Sequence, residues 1–372
     1  MVAKMVTSTA GFPDPGPQYR IKERIGGGAW KTAYRASQVG ALEDVALLYF
    51  HDDNMVGELI KEFSKLLVLQ KKPDSTYIAE LKGYNKGKDG KHYLIEELIR
   101  RPLEVYSPLQ DIATFTKVAR DLCRGLKCIH GERMVHRDLK LDNCGVDSQG
   151  RAKIFDLGSL TSEPGEIKAT ILTRAPELFG NQKKESFKRR SDVWALGATL
   201  FALRTGEYPF VYTNEIESRR KINKQYALAE ADRKDLDTQK RKIDDEITER
   251  ISGSGAEATL LEKIHKQFRG KAEELIKGML TFDVKRRLAL DTVASGWSAL
   301  ASELDGARNE QRQPAVSKLE RIRKLLDACI AREIALTATQ IDRVYSEFTA
   351  NFDGDAALVA EFEGKFIRAK NV

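Results

Sequence analysis

The sequence is poor in cysteine and in long apolar runs, and both shortages exclude classes of protein. None of its 4 Cys residues belongs to a Cys-x-x-Cys pair, which argues against a zinc knuckle or a disulfide framework and predicts buried, reduced thiols. They are Cys123, Cys128, Cys144 and Cys329. The longest apolar runs, such as residues 45–50, are far below the roughly 18 residues that span a bilayer. We therefore expect no membrane helix and no membrane partner.

A secretory signal is also lacking, and the excess of basic over acidic residues is small. Residues 1–18 contain Pro and Gly but no apolar core, so we interpret them as a flexible leader and expect a cytoplasmic protein. The 62 basic residues are mixed with 55 acidic ones along the chain. This mixing argues against a nucleic-acid partner and favours an anionic small ligand or an acidic partner as the reason for the net charge of +7.

Residues 19–98 show mostly the pattern of short strands, with one amphipathic helix. Apolar residues recur every three or four positions over 54–70, where Asn54 is the expected N-cap, and this spacing gives the helix one buried face. The predicted strands cover 19–25, 30–37, 45–50, 78–84 and 92–98. We expect this part of the chain to be a small sheet with one helix.

The sequence predicts that residues 99–305 are mainly helical. Within them, residues 212–256 are dense in charge and predict an inserted, solvated helical hairpin that ends at a flexible Ser-Gly-Ser-Gly joint. Residues 306–372 predict a helical extension with two or three amphipathic helices, at about 316–332, 338–350 and 355–368. The other predicted helices cover 112–130, 192–205, 272–280 and 290–304. The fold class is therefore α+β.

The segment His-Arg-Asp-Leu-Lys-Leu-Asp-Asn at 136–143 carries the strongest chemical signal. Asp138 can orient a substrate hydroxyl, Lys140 can neutralise charge on a moving phosphoryl group, and Asn143 offers an oxygen ligand to Mg²⁺. Asp156, which begins an Asp-Leu-Gly triplet, follows Asn143 by thirteen residues. Asn143 and Asp156 are therefore the candidate metal ligands, and the pattern points to phosphoryl transfer.

These motifs resemble the eukaryotic-type protein kinase family. The HRDLxxxN loop is matched at every fixed position, and the DFG motif is present as Asp-Leu-Gly. Ala-Pro-Glu at 175–177, Asp-x-Trp-x-x-Gly at 192–197, and Asp283 with Arg287 resemble the later motifs of the family. The resemblance covers about residues 19–304 and implies a bilobal kinase-like fold that binds ATP and Mg²⁺.

The resemblance also implies a substrate class. Small-molecule kinases of the aminoglycoside-phosphotransferase type generally lack the two later motifs that this sequence has. Lys140 and Thr170 match the serine/threonine class, in which that threonine bridges the catalytic Asp and Lys. The implied substrates are proteins, and the implied structural contacts are a Glu177–Arg287 pair and an Asp192 that braces the catalytic loop.

The lysine that usually anchors ATP is missing from its strand. The expected position is Leu48, whereas Lys31 stands in the glycine loop after Gly26 and Gly28. Side chains two apart on a strand share a face, so Lys31 should point into the same cleft as Ala33. The loop is similar to that of the with-no-lysine (WNK) kinases, in which the second strand supplies the lysine. Two interpretations stay open: an active kinase whose anchor is Lys31, or a pseudokinase that acts as a nucleotide-binding scaffold.

The remaining pocket residues follow from the same resemblance. Glu58 and Glu62 are candidates to pair with Lys31, and the apolar spacing that follows favours Glu62. Ala33, Ala46, Glu97 and Leu98 are expected to contact adenine. Glu96 falls at the back of the pocket, where a buried carboxylate needs a partner, and Gly145 replaces the usual leucine below adenine.

Phosphorylation and partners are the last expectations. Arg137 commonly meets a phosphate on the activation segment in this family, and Thr161 or Ser162 is the expected autophosphorylation site, with Glu163 and Glu166 as possible substitutes for the phosphate. His130 and His136 match structural positions. The apolar stripes of residues 306–372 need a partner surface, which leaves packing on the large lobe, a regulator or self-association open.

Overall fold

The computed structural model describes residues 12–27, 31–51, 56–99, 101–162, 170–179, 188–228, 233–331, 336–352 and 356–370. The chain divides into two compact units, residues 1–301 and 302–372. The first eleven residues of the predicted leader lie outside the described residues. Its described part packs on the outer face of the sheet, where Phe12 contacts Tyr34 edge to face and the hydroxyl of Tyr93 donates to the carbonyl of Pro15 at 2.8 Å.

Five of the described strands form one antiparallel sheet in the order β1-β2-β3-β5-β4. Their alternation separates two cores, because successive side chains of a strand point to opposite faces. In the central strand, Leu47 and Tyr49 join an outer aromatic cluster, whereas Leu48 and Phe50 join the main core. The strands are β1 (Tyr19–Gly27), β2 (Lys31–Gln38), β3 (Asp44–Phe50), β4 (Leu81–Lys86) and β5 (His92–Glu97).

One helix, α1 (Val56–Gln70), packs on this sheet as the sequence predicts. Leu59, Leu66 and Leu69 are buried in the main core. Glu62 lies on the same helix face, one turn after Leu59, and is 6% exposed. The apolar spacing of the helix therefore carries a carboxylate into the interior. Asn54, the expected N-cap, lies outside the described residues.

The rest of the first unit is mainly helical. Helix α3 (Arg189–Thr205) lies at its centre, and most of the residues of this helix, including Trp194, are buried. One small sheet has the strand order β6-β8-β9, and a second pairs β7 with β10. Their strands are β6 (Arg101–Pro102), β7 (Met134–Val135), β8 (Cys144–Val146), β9 (Ala152–Ile154) and β10 (Thr161–Ser162). The helices are α2 (Ile112–Gly131), α3 (Arg189–Thr205), α4 (Thr213–Leu228), α5 (Arg233–Ser252), α6 (Ala256–Gln267) and α7 (Gly270–Met279).

The charged segment folds as two helices, α4 and α5, that pack on each other. The second helix ends at Ser252, at the predicted flexible joint. The segment is less solvated than its composition suggests, because Leu236, Ile247 and Ile251 are buried. Ile247 and Ile251 belong to the main core. The hairpin is thus built into the helical lobe.

The second unit has a small core of its own. The two helices that the sequence places on either side of Gly306 are one continuous helix, α8 (Leu290–Ile330). A glycine costs a helix interior only about 1 kcal/mol, so Gly306 does not end α8, which also continues through Pro314. The end of α8 packs with α9 (Ala338–Phe352) and α10 (Ala356–Lys370) around Phe348 and Phe362, whose rings stack at 4.7 Å.

The state of the cysteines agrees with the expectation from the sequence. All four cysteines are free and buried. Among the described residues, no helix is both long enough and apolar enough to cross a membrane.

Candidate active site

The catalytic loop brings three predicted side chains together between β7 and β8. Lys140 Nζ donates to Asp138 Oδ2 at 3.0 Å. The amide nitrogen of Asn143 donates to the carbonyl of Asp138 at 2.7 Å and to its Oδ2 at 3.0 Å. The Asp138 side chain is 18% exposed, so it is held from two sides but still reaches the cleft. A hydroxyl placed there would meet a fixed carboxylate.

The loop is braced by Asp192 from the first turn of α3. This carboxylate is fully buried and accepts from the backbone N–H groups of His136 at 2.8 Å and Arg137 at 3.0 Å. It also lies 2.8 Å from Nε2 of His130. Arg137 has a left-handed backbone with φ of 72°, which costs energy for a residue with a side chain. The bonds to Asp192 hold this strained turn, and they confirm the bracing role that the resemblance implies.

Lys31 lies at the start of β2 and reaches across to two carboxylates. Its Nζ is 2.7 Å from Oε1 of Glu62 and 3.0 Å from Oδ1 of Asp156. Burial alone would lower the pKa of Lys31, but the charges of Asp156 and Glu62 outweigh burial and raise the pKa. Lys31 in turn holds the pKa of Asp156 below its usual range. The expected position of the anchor, Leu48, is apolar core.

Among the described side chains, Glu62 is the glutamate that contacts Lys31. The side chain of Glu58 lies outside the described residues. The backbone of Gly158 closes in on the pair: a Cβ there would lie 3.3 Å from both Nζ of Lys31 and Oε2 of Glu62. Strand β2, helix α1 and the Asp-Leu-Gly turn meet at this point.

Asn143 and Asp156 fit a magnesium ion that would take its other ligands from substrate phosphates. Because the side-chain Nδ2 of Asn143 donates to Asp138 and its backbone carbonyl accepts from the N–H of Phe155, the side-chain Oδ1 is the atom that would face a cation. Asp156 has φ of 56° and a side chain that is 41% exposed. The described residues contain no group of three or more His, Cys, Asp or Glu suited to hold a metal. Magnesium commonly binds one or two protein oxygens plus substrate phosphates, which agrees with this sparse set.

The predicted adenine contacts lie along β2, β3 and the end of β5. Ala33 pairs with Leu48, and Ala46 pairs with Glu96 in the strand register. The backbone N–H of Glu97 donates to the carbonyl of Glu80 at 2.8 Å, so this N–H is already engaged within the protein. Leu98 is half-buried beside it. Gly26 pairs with Ala33 across the hairpin, and Gly28 lies outside the described residues.

Two departures shape this pocket. Glu96 is 6% exposed, and burial, with the nearby charges of Glu62 and Asp156, raises its pKa to about 8 although Lys31 opposes the rise. Gly145 leaves space that Ile99 and Phe155 take up: a Cβ on Gly145 would lie 2.3 Å from Cγ2 of Ile99. The floor of the pocket is therefore built from the chain after the hinge.

The activation segment is described only in part. The guanidinium of Arg137 donates through Nε to the carbonyl of Ser159 at 2.6 Å. Thr170 and Lys140 line the same cavity of about 210 Å³. Where the chain is described, no hydrogen bond joins the Thr170 hydroxyl to Asp138 or Lys140. The bridging role of Thr170 therefore stays a prediction. The residues that could substitute for a phosphate, Glu163 and Glu166, lie outside the described residues.

Sequence reasoning missed one buried group beside the site. Lys153 in β9 is 4% exposed, and its ammonium donates to Oε2 of Glu97 at 2.6 Å. It also lies 3.5 Å from Asp147. The available signal is a lysine between apolar neighbours in a buried strand, which needs a carboxylate partner. This pair joins the end of β5 to the helical lobe behind the pocket.

The predicted pair at the end of the activation segment is present. Arg287 is fully buried at its side chain and makes two bonds of 2.8 Å to the carboxylate of Glu177. Ser191 also donates to Glu177 at 3.0 Å. The segment is thereby fixed to α3 and to the turn after α7.

A fold of two lobes whose cleft gathers these charged groups is that of a kinase. A family model described as the protein kinase domain matches residues 19–297. The chain therefore belongs to the protein kinase domain family.

Curated relatives agree with this assignment. "Mitogen-activated protein kinase kinase kinase 9" of Arabidopsis thaliana is 28% identical over 50% of this chain and 24% of its own length. "Serine/threonine-protein kinase 16" of Rattus norvegicus is 36% identical over 24% of this chain and 34% of its own. "Serine/threonine-protein kinase PAK 1" of Mus musculus is 25% identical over 58% and 40%. The chain thus spans about a quarter to two fifths of the length of these relatives.

Proposed function

We propose that this chain is a serine/threonine protein kinase that transfers the γ-phosphoryl group of ATP to protein hydroxyls, with Lys31 as the phosphate anchor. The observation that carries the proposal is the contact of Lys31 with Glu62 and Asp156. A lysine on β2 thereby takes the place of the one missing at Leu48. The similarity of the glycine loop to the WNK kinases supports this assignment.

The residues divide the work as follows. Asp138 accepts a hydrogen bond from the substrate hydroxyl and takes its proton as the hydroxyl oxygen bonds to the γ-phosphorus. The bond from that phosphorus to the bridging oxygen breaks, and ADP leaves with the electron pair. Lys140 and Lys31 stabilise charge on the phosphoryl oxygens. Asn143 and Asp156 would hold Mg²⁺, which would neutralise the phosphates when bound.

Phosphorylation of the chain by itself belongs to the same proposal. Ser159, whose carbonyl accepts from Arg137, stands close in the chain to Thr161 and Ser162. A phosphate on either hydroxyl would add charge near a buried guanidinium. We propose Thr161 or Ser162 as the site.

The test uses the purified chain with Mg²⁺ and γ-labelled ATP. We expect the parent to label a generic basic protein on Ser or Thr, as read by mass spectrometry. Asp138→Ala, Asp156→Ala and Lys31→Met should each lose roughly a hundred-fold or more in rate, as is usual for loss of a group that stabilises transferring charge. Lys22→Met is the matched control, because Lys22 lies on β1 and pairs with Asp44 at the surface.

The activities of Lys31→Met and of the parent distinguish the proposed kinase from its alternatives. Full activity in Lys31→Met would place the anchor elsewhere and refute the assignment of the glycine loop. An unlabelled parent whose melting temperature still rises with nucleotide would favour the alternative, a pseudokinase that acts through its helical hairpin and its C-terminal extension. The buried Glu96 and the occupied space above Gly145 are the features of the pocket that favour this alternative.

A further inference from the structure

Two consecutive backbone carbonyls after the Asp-Leu-Gly turn are held by cations from different lobes. Arg137 of the catalytic loop donates through Nε to the carbonyl of Ser159 at 2.6 Å. Lys65 of α1 donates through Nζ to the carbonyl of Leu160 at 2.5 Å. One short segment of chain is therefore bonded both to the catalytic loop and to α1, and the proposed mechanism does not use Lys65.

Lys65 lies on the same side of α1 as Glu62. Residues three apart on a helix are neighbours on its surface. Glu62 is 6% exposed, and its Oε1 accepts from Nζ of Lys31 at 2.7 Å. A shift or rotation of α1 that broke the bond of Lys65 would therefore also move Glu62 away from Lys31.

The turn that Lys65 contacts is itself well anchored. Leu157 and Leu160 are 3% and 1% exposed and belong to the main core. The backbone N–H of Leu160 donates to the carbonyl of Leu157 at 3.0 Å. Between them, a Cβ on Gly158 would lie 3.3 Å from Oε2 of Glu62. The turn thus presents a fixed carbonyl to Lys65 and lies directly against Glu62.

The apolar contacts of α1 do not define its rotation as sharply as these polar ones. Leu59, Leu66 and Leu69 bury one face of the helix in the main core, but hydrophobic contact has no preferred direction. A hydrogen bond does have one, because its strength falls when donor and acceptor are misaligned. The bond from Lys65 to Leu160 is therefore suited to fix α1 against the turn.

We propose that Lys65 is a positioning residue for the phosphate anchor: its bond to the carbonyl of Leu160 holds α1 in the orientation that keeps Glu62 in contact with Lys31. This inference rests on the proposed kinase function and goes beyond it, because Lys65 belongs to none of the motifs that define the site. In this role Lys65 touches neither nucleotide nor substrate and acts through Glu62.

The first test is kinetic and uses the full chain with Mg²⁺, ATP and a generic basic protein. Lys65→Met keeps the apolar stem and removes the ammonium, so kcat should fall about ten-fold, as loss of one charged hydrogen bond predicts. The KM for the protein should not change, because its hydroxyl is expected at Asp138. Lys65→Arg keeps a cationic donor and should restore most of the rate.

Lys82→Met is the control for that test, because Lys82 is an exposed lysine of β4. It should keep the rate of the parent. Full activity in Lys65→Met, or an equal loss in Lys65→Met and Lys65→Arg, would overturn the proposal.

A second test asks whether Lys65 acts through Glu62. Residues of one network have non-additive effects when both are changed. In a chain that already carries Glu62→Gln, adding Lys65→Met should therefore cost little further rate. A further ten-fold fall would show that Lys65 acts by another route, and it would contradict the proposed role.

A third test does not depend on catalysis. Amide hydrogen exchange, read by mass spectrometry, follows the fragments that cover α1 and residues 157–162. Lys65→Met should speed exchange in both fragments about ten-fold, whereas Lys65→Arg and Lys82→Met should match the parent. That result supports the positioning role even if no phosphate is transferred and the kinase proposal falls. Equal exchange in all four proteins refutes the role, whatever the activity.

Discussion

Burial of the single side chain of Glu96 makes the stability of the folded chain depend on pH. Burial is the main reason that its pKa rises from the usual 4.5 to about 8, and Lys31 only partly opposes it. The folded chain therefore holds this proton more tightly than the unfolded chain does. Its contribution to stability is complete below pH 4.5 and is lost as the pH rises through about 8.

We predict that Glu96→Gln flattens this dependence. Glutamine cannot lose a proton, so the variant should gain stability relative to the parent as the pH rises from 5 to 8. At about 1.4 kcal/mol for each unit of pKa shift, the gain should reach a few kcal/mol. Urea midpoints at intervals of one pH unit measure it. Glu257→Gln, at an exposed position of α6, is the control. Parallel curves for Glu96→Gln and the parent would show that Glu96 titrates normally.

At the scale of elements, local patterns predicted helices and loops, whereas contacts between distant residues were predictable only where the family resemblance supplied them, as for Glu177 and Arg287. Helix α1 and the catalytic loop were predictable, because a regular apolar spacing and a fixed motif lie within a few turns of chain. The contact of Lys153 with Glu97 spans 56 positions, and no local pattern reveals such a partner. Helix α6 was missed because it buries only Ala256, Leu260 and Ile264, which is too sparse a stripe to stand out.

The pair of Glu177 and Arg287 fixes one element to others, and its loss should be costly. Arg287 is fully buried at its side chain, so Glu177→Gln would leave a guanidinium without its counter-charge. Breaking a buried pair in this way costs about 3–5 kcal/mol. We predict a matching fall in the free energy of unfolding, measured by chemical denaturation, together with a loss of catalytic rate.

An exposed ion pair provides the comparison for that prediction. Glu262 and Lys266 pair on the surface of α6, where each side chain is about two thirds exposed. Such pairs contribute little to stability because solvent screens them. Glu262→Gln should therefore leave the free energy of unfolding, measured in the same way, unchanged. A similar fall in both variants would mean that the loss in Glu177→Gln reflects charge removal in general and not the buried pair.

At the scale of the whole chain, the two units have separate cores. The main core includes residues from both lobes of the kinase domain, from Leu48 to Trp297. The second core consists of side chains between Ile322 and Ala369. The two clusters share no residue among those described. Separate cores of unequal size are expected to unfold in separate steps, and the smaller one has the smaller reserve of stability.

We predict that Phe348→Ala unfolds the second unit alone. Phe348 is fully buried and stacks on Phe362, and truncation of such a ring costs about 3–5 kcal/mol, which is comparable to the stability of a small helical unit. Calorimetry of the parent should show two transitions, and the variant should lose the smaller one. Ile367→Ala, at a position that is 63% exposed on α10, should keep both. If the two transitions move together in Phe348→Ala, then the units unfold as one, and the extension contributes directly to the stability of the kinase domain.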